Sequence, residues 1–569
     1  MTFDIEFQDV SFQYEGARSP ALQHVNLAVR PGEIVLLTGP AGSGKTTLCS
    51  CINGLVPHYH EGTLTGRVLV RGYDTKRARI GGLSSLVGLV FQDPESQLVT
   101  ASVADEVAFG PENLGVPRDE ITRRVAEALQ ATRLAGYDER DPFSLSGGEQ
   151  QATVIAAIYA MHPEIYVMDE PLANLDPAGR AQVLRLVIEV ARRRGKTLFL
   201  VEHSLEETLP FVERLIVLDG GRLVRDGSVE QVLAAGDIPG VFTRPPIVRL
   251  AEAVRLDPLP LTPQDFYVRL RDQYPLGRYS EERKKEPVPP DGSAVIEFQD
   301  VHFSYNGQHA ALDGVNLQIA QGELVAILGR NGSGKTTLVR HIIGLLQPER
   351  GRVTVLGQDA SRTPVHELAR RVGFCFQNPN HQLVAFNVLD EISFGLNAHG
   401  IASEEIDSRI QQSLEFVGLQ EYRQAEIFDL GKGQRQRLAL ASVIALRPDI
   451  LVIDEPTTGQ DPRMAQDIFE ILRRLNQAGT TVLLITHNLG LAAEYATRAV
   501  VVRAGRIDFD GSFRELLPDL ARLRANSLEL PQTTLLASLL AAHGVQPWLT
   551  TYEQLAQAVQ ALTGAAGAH

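Results

Sequence analysis

Two lysines, Lys45 and Lys335, each close a glycine-rich stretch whose residue types suit the handling of phosphate. The first stretch is GPAGSGKTT (residues 39–47) and the second is GRNGSGKTT (residues 329–337). Both match the phosphate-binding pattern G-x-x-x-x-G-K-[ST]. Its glycines let backbone N–H groups close around phosphate oxygens. The lysine reaches the terminal phosphates, and the hydroxyl after it, on Thr46 or Thr336, ligates Mg²⁺. The candidate cradles are therefore Gly39, Pro40, Ala41, Gly42, Ser43, Gly44, Lys45, Thr46 and Thr47, and Gly329, Arg330, Asn331, Gly332, Ser333, Gly334, Lys335, Thr336 and Thr337.

Splitting a nucleoside triphosphate also needs a carboxylate in the Mg²⁺ shell and a group to polarise water. EIYVMDEP (residues 164–171) and DILVIDEP (residues 449–456) each end an apolar run in two carboxylates. Asp169 and Asp454 would hold the Mg²⁺ shell, and Glu170 and Glu455 would act as general base. An acidic pair on a buried strand is costly without a cation partner, which disfavours a purely structural role. His203 and His487 end the apolar runs TLFLVEH and TVLLITH at equivalent places. That repetition assigns them to the γ-phosphate and water network.

These groups need elements to hold them. IVLLT (residues 34–38) and LVAIL (residues 324–328) precede the two loops and read as buried parallel strands. A helix can follow each loop, and its N-terminus adds partial positive charge. The whole arrangement occurs twice. IEFQDVSFQY (residues 5–14) recurs as IEFQDVHFSY (residues 296–305). Gly39 maps to Gly329 at an offset of 290, whereas Gln92 maps to Gln377 and Asp169 to Asp454 at 285. The extra residues lie in PHYHEGTLT of the first copy, which is expected to form a longer surface turn without chemistry. Helix-rich middles are expected at about 105–140 and 390–424, and helical tails at 245–270 and 531–559. The stretch RYSEERKKEPVPPDGS (residues 278–293) has linker composition. The expected domains are 1–242, a tail and linker at 243–293, 294–525, and a tail at 526–569.

With 569 residues, 44% hydrophobic and 22% charged, the chain reads as an ordinary globular protein of several domains. A net charge of −15 argues against a general nucleic-acid binder. Three cysteines, Cys49, Cys51 and Cys375, give no disulfide framework and suit a reducing compartment. No metal site is expected at Cys49 and Cys51, because no second cysteine pair accompanies them. The N-terminus shows no secretory pattern, and no apolar run approaches a membrane span. A membrane role is thus expected to come through a partner.

SLSGGEQQ (residues 144–151) places a serine and two glycines before a helix, a further anion-binding nest. With the loops and carboxylates, it makes nearly the whole chain resemble the ABC-type ATPases. That resemblance implies an α/β fold of two tandem P-loop domains, each with an inserted helical subdomain and a small helical tail. It implies ATP with Mg²⁺ as the nucleotide, and two domains that pair head to tail. Each ATP would then lie between one domain's loop and the signature of the other, here Ser146, Gly147, Gly148 and Glu149, or Gly431, Lys432 and Gly433. Carried over by motif, Tyr14 and Tyr305 stack on adenine, and Gln92 and Gln377 sense the γ-phosphate beside Mg²⁺. Residues 173–176 and 458–461 match the loop that couples the two sites. The second signature departs from the pattern: LGKGQ (residues 430–434) stands where the family has LSGGQ. The site built on Lys45, Glu170 and His203 should face this altered copy, so the two sites are expected to be unequal and the Lys335 site faster.

FQDPESQLVTASVADEVAFG (residues 91–110) and FQNPNHQLVAFNVLDEISFG (residues 376–395) look like ATPases of energy-coupling factor (ECF) transporters, which import vitamins or transition-metal ions. That implies a transmembrane coupling subunit and a small membrane substrate-binding subunit as partners. It also implies a peripheral place at the cytoplasmic face of a prokaryotic cell membrane. The rivals are the ATPase of a binding-protein-dependent importer and a tandem ABC protein acting on ribosomes. The short, proline-rich linker and acidic balance disfavour the latter, and the lack of zinc-type cysteine pairs disfavours a DNA-repair ATPase.

Overall fold

The computed structural model describes residues 3–173, 175–280, 292–305, 307, 310–457 and 462–564, the side chains of Lys432 and Pro462 excepted. Asn174, all of 458–461 and most of the expected linker lie outside the described residues. The chain forms two compact units, Met1–Phe266 and Tyr267–His569.

In the first unit a four-stranded antiparallel sheet runs in the order Leu22–Val29, Ile5–Tyr14, Gly62–Val70, Tyr73–Asp74. A six-stranded sheet runs Arg222–Ser228, Arg214–Asp219, Ile34–Thr38, Thr197–Val201, Ile165–Asp169, Val87–Val90. It is parallel except at Arg222–Ser228. The strands Ile34–Thr38, Ile165–Asp169 and Thr197–Val201 are buried along their full length. Both faces of such strands are covered, which is why they read as unbroken apolar runs. Alternate residues feed different cores: Val35 and Leu37 join the cluster between the two sheets, and Ile34 and Leu36 the cluster under the helices. The helix Lys45–Ile52, which carries the buried Cys49 and Cys51, fills the space between the sheets.

The expected helical middle consists of Val103–Asn113 and Arg118–Ala131 packed against Gly147–Met161. Ser102 caps the first of these helices by accepting the Asp105 N–H at 3.1 Å. The expected tail appears as the helices Pro246–Ala253 and Pro263–Gln273, the second of which carries the boundary between the two units.

The second unit repeats the plan. Its antiparallel sheet runs Ala310–Ala320, Ala294–Ser304, Arg350–Val355, Gln358–Asp359. Its larger sheet runs Val372–Cys375, Ile450–Asp454, Thr481–Ile485, Leu324–Leu328, Arg498–Arg503, Arg506–Gly511. Val388–Ala398, Ser403–Val417 and Lys432–Ile444 make the helical part, and Gln532–Leu539 with Tyr552–Thr563 the tail. The residues before the linker return to this tail: Gly277 donates its N–H to Leu562 O at 3.1 Å, and Tyr279 to His543 O at 2.8 Å.

One expectation is corrected. The stretch PHYHEGTLT is only partly a turn. Its last residues extend the strand Gly62–Val70, pairing Gly62 with Tyr14, Thr63 with Gln13 and Leu64 with Phe12. The extension requires glycine at its start, because a Cβ on Gly62 would lie 2.3 Å from Gln13 O. His60, just before it, sets its ring edge-on to Tyr14 with centroids 6.0 Å apart.

Candidate functional site

In each unit the expected groups leave the C-terminal ends of four adjacent parallel strands. In the first, Thr38 leads into the phosphate loop, Val90 towards Gln92, Asp169 ends its strand, and Val201 leads to His203. Open α/β sheets bind ligands at this edge because the loops there converge.

The loop's shape is dictated by glycine. Gly39, Gly42 and Gly44 have φ of +148°, +76° and +101°. A Cβ on Gly39 would sit 2.0 Å from Leu218 O, and one on Gly44 2.4 Å from Ala21 O. In the second unit the corresponding distances are 2.2 Å from Val502 O and 2.5 Å from Ala311 O, at Gly329 and Gly334. Lys45 donates to Gly39 O at 3.0 Å and Pro40 O at 2.8 Å, and Lys335 to Gly329 O at 2.8 Å and Arg330 O at 2.9 Å. Each ammonium therefore sits in the mouth of its own loop. The hydroxyls of Ser43 and Ser333 are buried in these loops without a hydrogen-bond partner among the described residues. An unsatisfied buried hydroxyl calls for a ligand atom, and a phosphate oxygen suits it.

The carboxylates tell the same story. Asp169 is buried and its Oδ1 has no hydrogen-bond partner among the described residues. Burial pushes its pKa up to about 6, and the Glu170 charge adds to this; the Thr46 hydroxyl, Lys45 and His203 oppose it. Asp454 is raised by burial and by Glu455, against the pull of Thr336, whose hydroxyl donates to Asp454 Oδ2 at 3.0 Å. A buried carboxylate with a spare oxygen beside a threonine hydroxyl is a donor set that a hard divalent cation fits. The residues present thus fit both Mg²⁺ and a bound triphosphate.

Glu170 and Glu455 follow at φ +50° and +47°, an uncommon region for a side-chain-bearing residue. Their N–H groups are tied to Val201 O at 3.0 Å and Ile485 O at 2.9 Å. Gln92 donates to Glu170 Oε2 at 2.8 Å, and His203 Nε2 lies 2.9 Å from Glu170 Oε1. The second unit has Gln377 to Glu455 Oε2 at 3.3 Å and His487 Nε2 to Glu455 Oε1 at 2.6 Å. His487 also meets Asn331 Oδ1 at 2.9 Å, at the place where the first unit has Ala41. The second site opens into a cleft of about 520 Å³ lined by Tyr305, Asn331, Lys335, Thr336, Gln377 and Glu455, among others. The Tyr14 hydroxyl lies 3.0 Å from Thr47 Oγ1 and that of Tyr305 3.3 Å from Thr337 Oγ1, so both rings stand beside their loops.

The signature residues make their contacts within the helical parts. Glu149 collects the Ser146 N–H at 2.9 Å, the Ser146 hydroxyl at 2.7 Å and the Tyr137 hydroxyl at 2.8 Å. Among the described residues of the second unit, only the Gly431 N–H donation to Gln434 Oε1, at 2.9 Å, remains of this set. Gly431 nevertheless keeps the backbone of Ser146, with φ, ψ of −63°, 160° against −64°, 154°.

Sequence reasoning missed the residues that brace the stretches after Gln92 and Gln377. Gln97 accepts the Phe91 N–H at 2.7 Å and donates to Leu89 O at 3.1 Å. Glu106 is buried and its Oε2 gathers the N–H groups of Val99 and Thr100 at 3.0 and 2.9 Å. In the second unit Gln382 accepts the Phe376 N–H at 3.2 Å but donates to Ala439 O at 2.8 Å, and Glu391 gathers the N–H groups of Val384 and Ala385 at 2.8 Å each. The repeated Q-x-x-x-x-Q and DE spacings were the available signal.

The family model for the ABC transporter (ABC_tran) matches residues 22–173 and 312–458. A provisionally described ABC transporter ATP-binding protein of Caldanaerobacter subterraneus subsp. tengcongensis is 38% identical over 552 residues, covering 94% of this chain and 96% of its own. Another, of Methanosarcina acetivorans and equally provisional, is 38% identical over 578 residues, covering 97% and 93%. Among solved structures, cbiO1 from Clostridium perfringens, described as part of the ABC transporter complex cbiONQ, is 30% identical with a TM-score of 0.38, covering 42% of this chain and 96% of its own. Among the described residues no helix is long and apolar enough to cross a membrane. The chain belongs to the ABC transporter ATP-binding proteins, with two tandem ATPase domains that bind ATP with Mg²⁺ and hydrolyse it.

Proposed function

We propose that the chain is the ATP-hydrolysing subunit of an ECF-type importer for a vitamin or a transition-metal ion, working at the cytoplasmic face of a prokaryotic membrane. The observation that carries this reading is the twin stretch after each sensing glutamine. Gln97 with Glu106, and Gln382 with Glu391, brace it from inside. Apolar side chains are left outside: Val99 is 63% exposed, Phe394 62% and Phe386 80%. Exposed apolar groups on a braced backbone suit a docking surface for helices of a coupling subunit.

In this reading Thr46, Gln92 and Asp169, and Thr336, Gln377 and Asp454, hold Mg²⁺, which neutralises charge on the transferred phosphoryl group. Glu170 and Glu455 take the proton of the attacking water, each held by its glutamine and histidine. Tyr14 and Tyr305 stack on adenine. The two domains pair head to tail, so Lys45 and Glu170 work opposite Gly431, Lys432 and Gly433, and Lys335 and Glu455 opposite Ser146, Gly147 and Gly148. ATP favours the closed pair, and hydrolysis removes that preference.

The experiment is purification of the tagged chain from gently solubilised membranes of its source. Recovery of a transmembrane subunit and a small substrate-binding subunit with a vitamin or metal ion is expected. Recovery with ribosomes, or with a periplasmic binding protein, overturns the reading.

A further inference from the structure

Behind Glu170 in the first unit lies a charged cluster that the chemistry above does not use. Glu202, between the strand Thr197–Val201 and His203, is 4% exposed and accepts the Leu172 N–H at 2.9 Å. Arg180, on the first turn of the helix Pro177–Arg194, faces it electrostatically and pairs with Glu207 at 2.8 Å. The Arg180 guanidinium also donates to the Ser204 hydroxyl, while its Nε is buried with no hydrogen-bond partner among the described residues. Burial pushes the Glu202 carboxyl up to about 8, with the Leu172 N–H and Arg180 pulling it down.

The second unit supplies the comparison. By alignment of the two copies, Thr486, Ala465 and Leu491 stand where the first has Glu202, Arg180 and Glu207. All three are buried, and Thr486 spends its hydroxyl on the Asn488 N–H at 3.0 Å. The fold therefore needs no charge here. Replacing a buried charge and its partners by well-packed apolar residues is often neutral or stabilising, so the buried Glu202 with its half-buried partners points to a role other than stability.

We propose that Glu202 is a positioning residue for Glu170: by accepting the Leu172 N–H it clamps the turn after the catalytic carboxylate to the strand end that carries His203. The clamp acts on a short span. Glu170, at φ +50°, is held upstream by Val201 O at 3.0 Å, and Ala173 closes the turn onto Glu170 O at 3.1 Å. Leu172 lies inside that turn, so fixing its N–H fixes the direction of the Glu170 carboxylate. The far end of the coupling loop is Asp176, which caps the Arg180 helix through the Gly179 N–H at 2.8 Å. Arg180 thereby ties that helix back to the same cluster. The first unit's loop is anchored at both ends, and in the second unit Thr486 and Ala465 stand at the places of Glu202 and Arg180. This inference rests on Glu170 being the base of the first site.

The test uses the full chain. Amide exchange at Leu172 is measured in Glu202→Leu, in Glu202→Gln, which keeps an acceptor, and in the triple variant Arg180→Ala/Glu202→Thr/Glu207→Leu, which carries the second unit's residues. Exchange about ten-fold faster than in the parent is expected for Glu202→Leu and the triple variant, as for loss of one hydrogen bond, and parental exchange for Glu202→Gln. First-site hydrolysis is then read by single-turnover ATP cleavage in the Glu455→Gln background. A loss of about ten-fold is expected for Glu202→Leu with the ATP Kd within about two-fold of the parent, and at least about half the rate for Glu202→Gln. Unchanged Leu172 exchange overturns the clamp, as does unchanged cleavage in Glu202→Leu, or a parallel loss of cleavage and affinity in Glu202→Gln. If Glu170→Gln in that background leaves cleavage intact, the base assignment falls, and the exchange result separately decides the clamp.

Discussion

Restoring a serine to the second signature, by Gly431→Ser, should accelerate the first site and leave the fold alone. The structural cost is close to nil. Gly431 already holds φ −63° and ψ 160°, within a few degrees of Ser146. Among the described residues a Cβ there would meet only Gln434 Oε1, at 3.6 Å, an ordinary contact. Serine also loses less freedom on folding than glycine, so stability should stay level or rise by about 0.5 kcal/mol. The catalytic gain has a ceiling: one preorganised donor to a developing charge contributes about 10²–10³-fold. Gly431 N–H is present in both forms, and Gln434 leaves the new hydroxyl a neutral partner where Ser146 faces the charged Glu149, so a rise of about ten- to one-hundred-fold is expected. Inside the units the carboxylate contacts are similar, with histidine at 2.9 and 2.6 Å from Glu170 and Glu455. The difference in rate should therefore come from the facing signature. The assay is single-turnover cleavage of labelled ATP by Glu455→Gln with and without Gly431→Ser, alongside steady-state turnover of Glu170→Gln and Glu455→Gln. Glu455→Gln should remove most steady-state turnover and Glu170→Gln little. Equal losses in those two, or no acceleration by Gly431→Ser, would refute the reasoning.

Alanine at Gly39 or Gly329 should abolish nucleotide binding at that site, since the Cβ would lie 2.0 or 2.2 Å from a backbone oxygen; fluorescent-ATP titration showing unaltered affinity would contradict this. Asp169→Asn should stabilise the nucleotide-free chain at pH 7.5 by on the order of 1–3 kcal/mol, because burial holds this carboxyl near about 6 and ionising it costs folding energy. The same variant should lose Mg²⁺-dependent first-site hydrolysis, and a lowered melting temperature would count against the argument. Glu202 has a pKa raised to about 8, so the stability it contributes is full below about 4.5 and is lost as pH rises through about 8. Glu202→Gln should hence gain on the parent steadily between pH 5 and pH 8.5, by on the order of a few kcal/mol in denaturant titrations; a pH-independent difference would exclude it.

The legible parts of this protein are those where one backbone geometry admits one residue type. The phosphate loops could be read because Gly39, Gly44, Gly329 and Gly334 face backbone oxygens that exclude a Cβ. The sheets could be read because strands covered on both faces must be largely apolar, as in Ile165–Asp169 and Ile450–Asp454, each apolar up to its terminal carboxylate. What escaped depends on pairing between distant stretches. Gly62–Leu64 looks like turn sequence, and only its register with Phe12–Tyr14 makes it strand. Glu202, Arg180 and Glu207 are unremarkable one by one. Their convergence, with Glu202 buried and Arg180 and Glu207 half-buried beside it, is a property of the packed helix and strand end, and no local spacing announces it. Glu106 and Glu391 stood in a motif read for its partner, whereas their own work is to gather two backbone N–H groups each.

If the two units pair as proposed, having both on one chain fixes their stoichiometry. Separate subunits with these sequences would sort into three kinds of pair, and one kind would carry the altered signature at both of its sites. Tethering supplies each unit with its unlike partner at an effective concentration of about millimolar, whatever the expression level. In the proposed pair every molecule then carries one site of each kind, in fixed ratio. Differences such as Gly431 for Ser146, or Glu202 for Thr486, are inherited by one site without ever reaching the other. A self-pairing ATPase must make one sequence serve both of its sites; this chain is free to divide holding nucleotide from spending it.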